Sequence, residues 1–345
     1  MKVIQLGPYP PPYGGVQTNL VAIRDRLRAD RHQAAVIHLT RHRRANSDEV
    51  FYPRTALETA RLLWREPADI LHLHIGGALT ARLLGLCLFC SLLPGRKTVL
   101  TFHSGGFPSS PQGRGVKRAG FTAFVLRRLG AAIAVNEEIA SFLRRCGVRE
   151  VRVIVPAASM EMTAELPAAL HHFFAEHQPV LLSVGLLEPE YDLPLQIAAL
   201  EKIRAAHLNA GLVMIGSGSL ETELRGRIAA QPWAQHLLLA GDVPHPATLR
   251  AIKECSAVLR TTHYDGDSIS VREALDLGTP VVATDNGMRP PGCHLIPRPP
   301  ALDALVESVS RALDHGRTTP ATRDSTRGLQ AVLDLYRHVL HCVPS

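Results

Sequence analysis

No stretch of the 345-residue chain holds the ~20 consecutive apolar residues that cross a bilayer as a helix. The longest candidate, Leu83 to Leu93, follows Arg82 and is too short. A strand pattern begins directly after Met1-Lys2, so a signal peptide is not expected and the setting expected is cytoplasmic. The six cysteines, at 87, 90, 146, 255, 293 and 342, are scattered rather than arranged as a disulfide framework, which fits a reducing compartment. Cys87 and Cys90 form a CxxC inside LLGLCLFCSLL. That setting favours one face of a buried helix over a zinc or redox pair. Aromatic residues are scarce, at 5%, as in Leu-, Val- and Ala-rich α/β proteins. The GxGxxG dinucleotide fingerprint is missing, and no nucleic-acid-binding motif accompanies the basic charge, so nucleic acid is not an expected partner.

What is present is a 46% hydrophobic chain long enough for two domains. Its formal charge of +7 is uneven: residues 1–178 hold 23 Lys and Arg against 13 Asp and Glu, residues 179–345 hold 15 against 18. A basic first half suits an anionic partner, either a membrane surface or a phosphorylated ligand. Arg114 to Leu129 sets Arg114, Lys117, Arg118, Arg127 and Arg128 beside Phe121, Phe124, Val125 and Leu129 at helical spacing. It reads as a helix docked on its own sheet or as one lying on an anionic membrane.

Strand and helix patterns alternate through both halves. Strands are expected at Lys2–Leu6, Ala34–Leu39, Asp69–His74, Thr98–Phe102, Ala131–Val135 and Val151–Val155, then at Val180–Val184, Leu212–Ile215, His236–Leu239, Ala257–Leu259 and Val281–Ala283. Such alternation implies parallel sheets covered by helices. Residues 156–179 read as an irregular, His-rich region between the halves. The expected division is 1–165, 166–322 and a final helical segment 323–345.

Candidate site residues lie where strands give way to loops, because ligands of parallel sheets gather there. The first strand runs into GPYPPPYGG, and Gly14-Gly15 lets backbone approach a ligand at a helix start, or makes a plain Pro/Gly connection. His72 and His74 share one face of a strand, and His103 follows the next. Packed, hydrogen-bonded histidines are the favoured reading over a metal site there. Residues 263–283, HYDGDSISVREALDLGTPVVA, read as a polar loop, a helix from Ile269 to Leu277, a Gly278 stop and a buried strand. The unpaired amides near Ser268 and Ile269, at a helix N-terminus, suit a phosphate. Glu273, one turn in, suits the two hydroxyls of a ribose.

Asp265 and Glu273, separated by seven residues, resemble the acid-x7-acid signature of retaining glycosyltransferases of the two-Rossmann-domain (GT-B) class, family 4. The PP-x-GG loop and the Gly216-containing turn GSGS are similar to further motifs of that family, and the resemblance runs over nearly the whole chain. It implies two Rossmann-like doubly wound parallel-sheet domains facing a cleft, with the last helix crossing back to the first domain. It implies a metal-independent enzyme that moves a sugar, with retention, from a nucleotide-sugar donor to an acceptor hydroxyl on a glycan or lipid-linked sugar, in polysaccharide or glycolipid assembly. No cofactor is implied, the nucleotide-sugar being substrate. By the same resemblance His103 and Asp265 lie by the donor sugar. Glu273 holds the donor ribose, and Gly14, Gly15, Ser268 and Ile269 face its diphosphate. Gly216 falls in the family's strand-turn-helix, and the turn at Val243 lies near the base.

Two departures stand out. Asp265 replaces the usual Glu, one methylene shorter. The family's Arg and Lys that clamp the donor diphosphate fall on Leu186 and Tyr191 of VGLLEPEYDLP, among Glu188, Glu190 and Asp192. Those acids repel a diphosphate. Arg289 and Arg272 are the candidate substitute cations. The alternative is a non-catalytic scaffold on the same fold. Two further readings of the central stretch, a metal-binding Asp265-x-Asp267 and a GDSL-type nucleophile at Ser268, lack the single-domain context and the Asp-x-x-His partner that they need.

Overall fold

The computed structural model describes the whole chain except residues 41–43, 47–48, 157–159, 264–266, 321–325 and 342–345. Asp265 and Cys342 therefore lie outside the described residues. Internal contacts divide the chain into two units: Met1–Pro10, Val16–Ala158 and Ser325–Ser345 form the first, Pro11–Gly15 and Ser159–Asp324 the second.

The first half of the chain runs β1 (Lys2–Gly7), α1 (Gly15–Ala29), β2 (Gln33–His38), β3 (Val50–Phe51), α2 (Ala56–Arg65), β4 (Ile70–Ile75), α3 (Ala81–Leu92), β5 (Lys97–Phe102), α4 (Pro111–Arg114), α5 (Phe121–Leu126), β6 (Ala131–Ala134), α6 (Glu137–Cys146) and β7 (Val151–Val153). Among the described residues these strands form a parallel sheet in the order β3-β2-β1-β4-β5-β6-β7. Helix starts are fixed locally. Thr55, Thr80 and Asn136 accept from backbone amides of the first turns of α2, α3 and α6, and Gly147 ends α6 in the left-handed region. Cys87 and Cys90 are buried in α3, and burial pushes the Cys87 thiol up to about 12 and the Cys90 thiol up further. Both side chains are packed in the first unit's core.

The second half runs α7 (Ala168–Glu176), β8 (Val180–Val184), α8 (Leu193–Ala206), β9 (Gly211–Ile215), α9 (Glu221–Ala229), β10 (Leu237–Gly241), α10 (His245–Glu254), β11 (Ala257–Arg260), α11 (Ile269–Asp276), β12 (Val281–Thr284), β13 (His294–Ile296) and α12 (Leu302–His315). Its strands pair in parallel in the order β10-β9-β8-β11-β12-β13. In each sheet the strand order reverses beside the unit's first strand, between β1 and β4 and between β8 and β11. Those reversals are where an open α/β sheet offers room for a ligand.

The last helix, α13 (Thr326–His341), groups with the first unit. Leu329, Val332, Leu333, Leu335, Tyr336 and Val339 pack with Val3, Ile23, Leu27, Ile70, Val99 and Ile133. The Tyr336 hydroxyl bonds His72 Nδ1 at 2.5 Å, fastening this helix to the middle of β4. Among the described residues no helix is long and apolar enough to cross a membrane.

Several expected elements differ. The single amphipathic helix read over Arg114–Leu129 is reduced to α5, because Gly115 closes α4 at the start of the stretch and Gly120 opens α5. Phe121 and Phe124 are 56% and 41% exposed, and the Arg128 guanidinium stacks on the Phe124 ring at 4.5 Å. The irregular stretch 156–179 holds α7, whose Leu170 and Phe173 enter the second unit's core. Helix α10 begins at His245, four residues earlier than its apolar pattern, which starts at Leu249. Helix α8 and the short strands β3 and β13 add to the expected set.

Tyr336→Phe removes the hydroxyl and leaves His72 Nδ1 buried without its partner. It is expected to cost about 1–3 kcal/mol of stability, measured by denaturant unfolding with the near-UV signal.

Candidate functional site

Beside the reversal in the second sheet, the two loops that leave β8 and β9 are packed against one another by backbone. Gly216 has φ 135°, and a Cβ there would lie 1.8 Å from Gly185 O. A Cβ on Gly218 would lie 2.4 Å from Leu187 O. Leu187 N donates to Ser217 O and Leu220 N to Leu187 O. The glycines of GSGS are thus required by the neighbouring loop. Gly216 fits this place without a ligand. Glu188 is spent here too: its carboxylate accepts from the Ser219 amide at 2.9 Å and the Ser219 hydroxyl at 2.5 Å. Val243 sits near the same edge, but its side chain is in the core and its carbonyl accepts from the Thr248 hydroxyl at 3.2 Å.

Tyr191, at the position expected of a cation, lies beneath one. The Arg260 guanidinium stacks on its ring at 4.5 Å, donates to Val184 O at 3.0 Å, and reaches the Tyr191 hydroxyl at 3.5 Å. Arg260 is 7% exposed and ends β11, beside β8. The sequence reading missed it. The available signal was a lone charge closing the buried run AVLR at a strand's carboxyl end. The two cations that reading named both hold protein partners. Arg272 grips the Asp267 carboxylate through Nε and Nη2, the latter at 2.6 Å, and both side chains are largely buried. Arg289 donates to Thr284 O at 3.1 Å and the Thr262 hydroxyl at 2.7 Å, bridging the ends of β12 and β11.

Ser268 precedes α11 in an extended conformation and makes no side-chain cap bond; its hydroxyl lies 3.2 Å from that of Ser270. The amides of the first turn of α11, from Ile269 on, therefore keep their donors free of a side-chain cap. Gly15 groups with this unit, and a Cβ there would meet Ile269 Cδ1 at 3.8 Å. Gly14, just before it, is half-buried. Glu273 is 4% exposed and accepts from His245 Nε2 at 2.6 Å. His245 comes from the first turn of α10, 28 residues earlier, and nothing in the sequence marked it. Among the described residues Glu273 has no second partner, so its other oxygen remains an open acceptor. Asp267 is bonded to Arg272, and no histidine pairs with Ser268 as a base among the described residues.

At the reversal in the first sheet stands a buried polar cluster. His72 bonds Tyr336 and, through Nε2, the Thr101 hydroxyl at 2.7 Å. His74 Nε2 bonds Gln5 Oε1 at 3.0 Å, and His74 Nδ1 faces His103 Nε2 at 3.4 Å. Burial depresses all three: His72 and His103 to about 3, His74 well below its ordinary value, with the neighbouring imidazoles adding to the effect on His72 and His74. The histidines read as packed and hydrogen-bonded are found so. Among the described residues no group of three His, Cys, Asp or Glu side chains is arranged to hold a metal ion.

Two doubly wound parallel-sheet units, each with polar side chains at its strand reversal, define the GT-B class. A model of glycosyltransferase family 4 matches residues 13–159, and one of glycosyl transferases group 1 matches residues 171–291. The chain belongs to these glycosyltransferases, group 1 and family 4. It is 26% identical over 157 residues to glycogen synthase of Mycobacterium tuberculosis, covering 45% of the chain, and it spans about a third of that relative's length, 36%. Solved structures agree in fold. The catalytic domain of starch synthase IV from Arabidopsis thaliana, bound to ADP and acarbose, has a TM-score of 0.67 at 11% identity, over 99% of this chain and 100% of that one. Anabaena HepE with UDP-glucose has a TM-score of 0.66 at 15% identity over 98% of each chain. Sucrose-phosphate synthase from Thermosynechococcus elongatus has a TM-score of 0.66 at 16% identity, over 99% and 96%.

Two outcomes follow from these side chains. Arg272→Ala strands the Asp267 carboxylate in a nearly closed site and is expected to cost about 3 kcal/mol, read by denaturant unfolding. The buried histidines make the first unit acid-sensitive. Their unfolded forms take up protons below about pH 6.5, whereas folded His72 and His103 do so only near pH 3. Stability is therefore full above pH 6.5 and falls as the pH drops from 6.5 toward 3. Thermal melts across that range check the sign, and His72→Gln is expected to shallow the slope.

Proposed function

We propose that this chain is a glycosyltransferase that moves a sugar from a nucleotide-linked donor to an acceptor hydroxyl with retention and without a metal ion. The observation that carries the proposal is Glu273. It is a buried carboxylate one helical turn past uncapped amides, fixed at one oxygen by His245 and open at the other. A ribose hydroxyl has a partner there, and the amides before it suit a phosphate. The loop at Leu186 and Tyr191 supplies no cation of its own, and Arg260, laid on Tyr191, brings positive charge to that loop from the adjacent strand. The ADP and UDP-glucose complexes of the starch synthase and of HepE support a nucleoside diphosphate sugar as donor. The glycogen and starch synthases support a glycan acceptor, and a lipid-linked sugar is the other acceptor of the same chemistry. His103 offers a ring nitrogen to a sugar hydroxyl, and Asp265 is kept as the acid near the donor sugar. The exposed Phe121 and Phe124, with Arg128 stacked beside them, suit peripheral contact with an anionic membrane on the cytoplasmic side.

A second reading, a scaffold that binds without turnover, is favoured by the uncharged Leu186 and Tyr191. A panel of UDP-, ADP- and GDP-sugars separates the two. Thermal shift reports binding, since a ligand at 100 times its Kd adds about 2.7 kcal/mol to stability. Release of nucleoside diphosphate with a glycan acceptor reports turnover. Binding with turnover supports the transferase; binding without turnover supports the scaffold; neither, across the panel, removes both. Glu273→Gln keeps the side-chain volume and an acceptor for His245 but loses the charge. It is expected to weaken the binding donor by about 10- to 100-fold in calorimetry, and an unchanged affinity would remove Glu273 from the ribose site.

A further inference from the structure

The polar cluster of the first unit has a direction, and that direction sets what His103 can bind. Gln5, on β1, lies opposite His72 on β4; His74, two residues on, lies opposite Thr101 on β5; His103 follows two residues later. Each step across the sheet moves two residues toward the carboxyl end, so the three side chains stay on one face. They form a line from the sheet interior to its edge.

The polarity begins at a backbone carbonyl, which can only accept. Gln5 Nε2 donates to Leu20 O at 3.1 Å, and this fixes the orientation of the amide. Gln5 Oε1 is then the atom that faces His74, so His74 Nε2 must carry the proton and donate, at 3.0 Å. A neutral His74 has a bare Nδ1, which accepts from His103 Nε2 at 3.4 Å. His103 then holds its one proton on Nε2. Burial keeps both rings uncharged at neutral pH. Among the described residues His103 Nδ1 has no partner.

We infer that Gln5 and His74 are positioning residues that hold His103 in its Nε2–H form, so that Nδ1 faces outward as a hydrogen-bond acceptor for a sugar hydroxyl. A carboxylate, sulfate or phosphoryl oxygen has no proton to give to that nitrogen and is turned away from it. The hydroxyl half of this inference rests on the glycosyltransferase reading; the proton placement rests on the side chains alone.

The test uses full-length protein with 15N-labelled histidine. Ring-nitrogen spectra report which nitrogen of each imidazole is protonated, and the His103 signals are assigned by their loss in His103→Gln. The expected result at pH 7, without ligand, is a protonated Nε2 and a bare Nδ1. A proton on Nδ1, or on both nitrogens, overturns the inference. Gln5→Leu removes the fixed end of the line, and the His103 ring is then expected to show both tautomers. A spectrum identical to wild type overturns the role of Gln5. Should Gln5→Leu not fold, Gln5→Met serves the same comparison, and the wild-type spectrum already decides the tautomer. Adding UDP-glucose is expected to shift the Nδ1 resonance of His103 and leave its Nε2–H form in place. UDP-glucose bound with Nδ1 unmoved overturns the hydroxyl assignment. Failure of every sugar nucleotide to bind instead defeats the transferase reading, while the ligand-free spectrum still decides the tautomer.

Discussion

In a parallel sheet covered by helices on both faces an unpaired polar side chain costs free energy, so most such side chains are paired. The rest of this structure follows from that constraint. Gln5, His72, His74 and Thr101 point from strands whose other buried residues are mostly Val, Ile, Leu and Phe, and each is bonded to a partner on a neighbouring strand or helix. The same holds beyond β8 and β11, where Glu273 has His245, Asp267 has Arg272, and Arg260 has Val184 O and the Tyr191 ring. Pairing within the protein leaves few atoms open. Among the described residues one oxygen of Glu273 and Nδ1 of His103 stay open at the strand reversals, as do the buried hydroxyls of Thr98 and Thr284 within the strands.

The alternation of strands and helices was legible because buried parallel strands are short β-branched runs and glycine marks the loops that leave them. The missing pieces have physical causes. Helix α8 follows an acidic, Pro-containing loop, and its start is set by Asp192 in the left-handed region rather than by a side-chain cap. Residues 114–129 carry helical spacing throughout, yet Gly115 and Gly120 interrupt the backbone, and spacing alone is blind to that. Helix α7 was hidden by its histidines, although Leu170 and Phe173 sit at a helical interval. In the site, Glu273 was legible from its place one turn into a helix after a polar loop. His245 was not, because its role exists only once α10 is set beside α11.

The loop at 185–192 shows how one position can change its means without changing its neighbourhood. An aromatic ring has no charge of its own, but it can seat a guanidinium supplied by the adjacent strand. The cost is a buried cation that must be kept solvated by carbonyl and ring. The acidic residues of the same loop are less hostile than their count suggests, since Glu188 is bonded to the Ser219 turn. A charge tally along the chain sees three acids; the fold engages at least one of them inside its own hydrogen bonds.

Helix α13 has a bearing on biosynthesis. It is the last helix of the chain, yet six of its apolar side chains line the face of a sheet built from the first residues. A ribosome that has finished β1 through β7 has released a sheet with one side only partly covered, α1 being there and α13 not yet made. That side stays partly exposed until some 170 further residues have been added and Tyr336 reaches His72. The second unit can complete its own core during that interval. A ribosome that stalls before α13 therefore leaves the first unit short of part of its core, and that unit is where the newborn chain has most need of a chaperone.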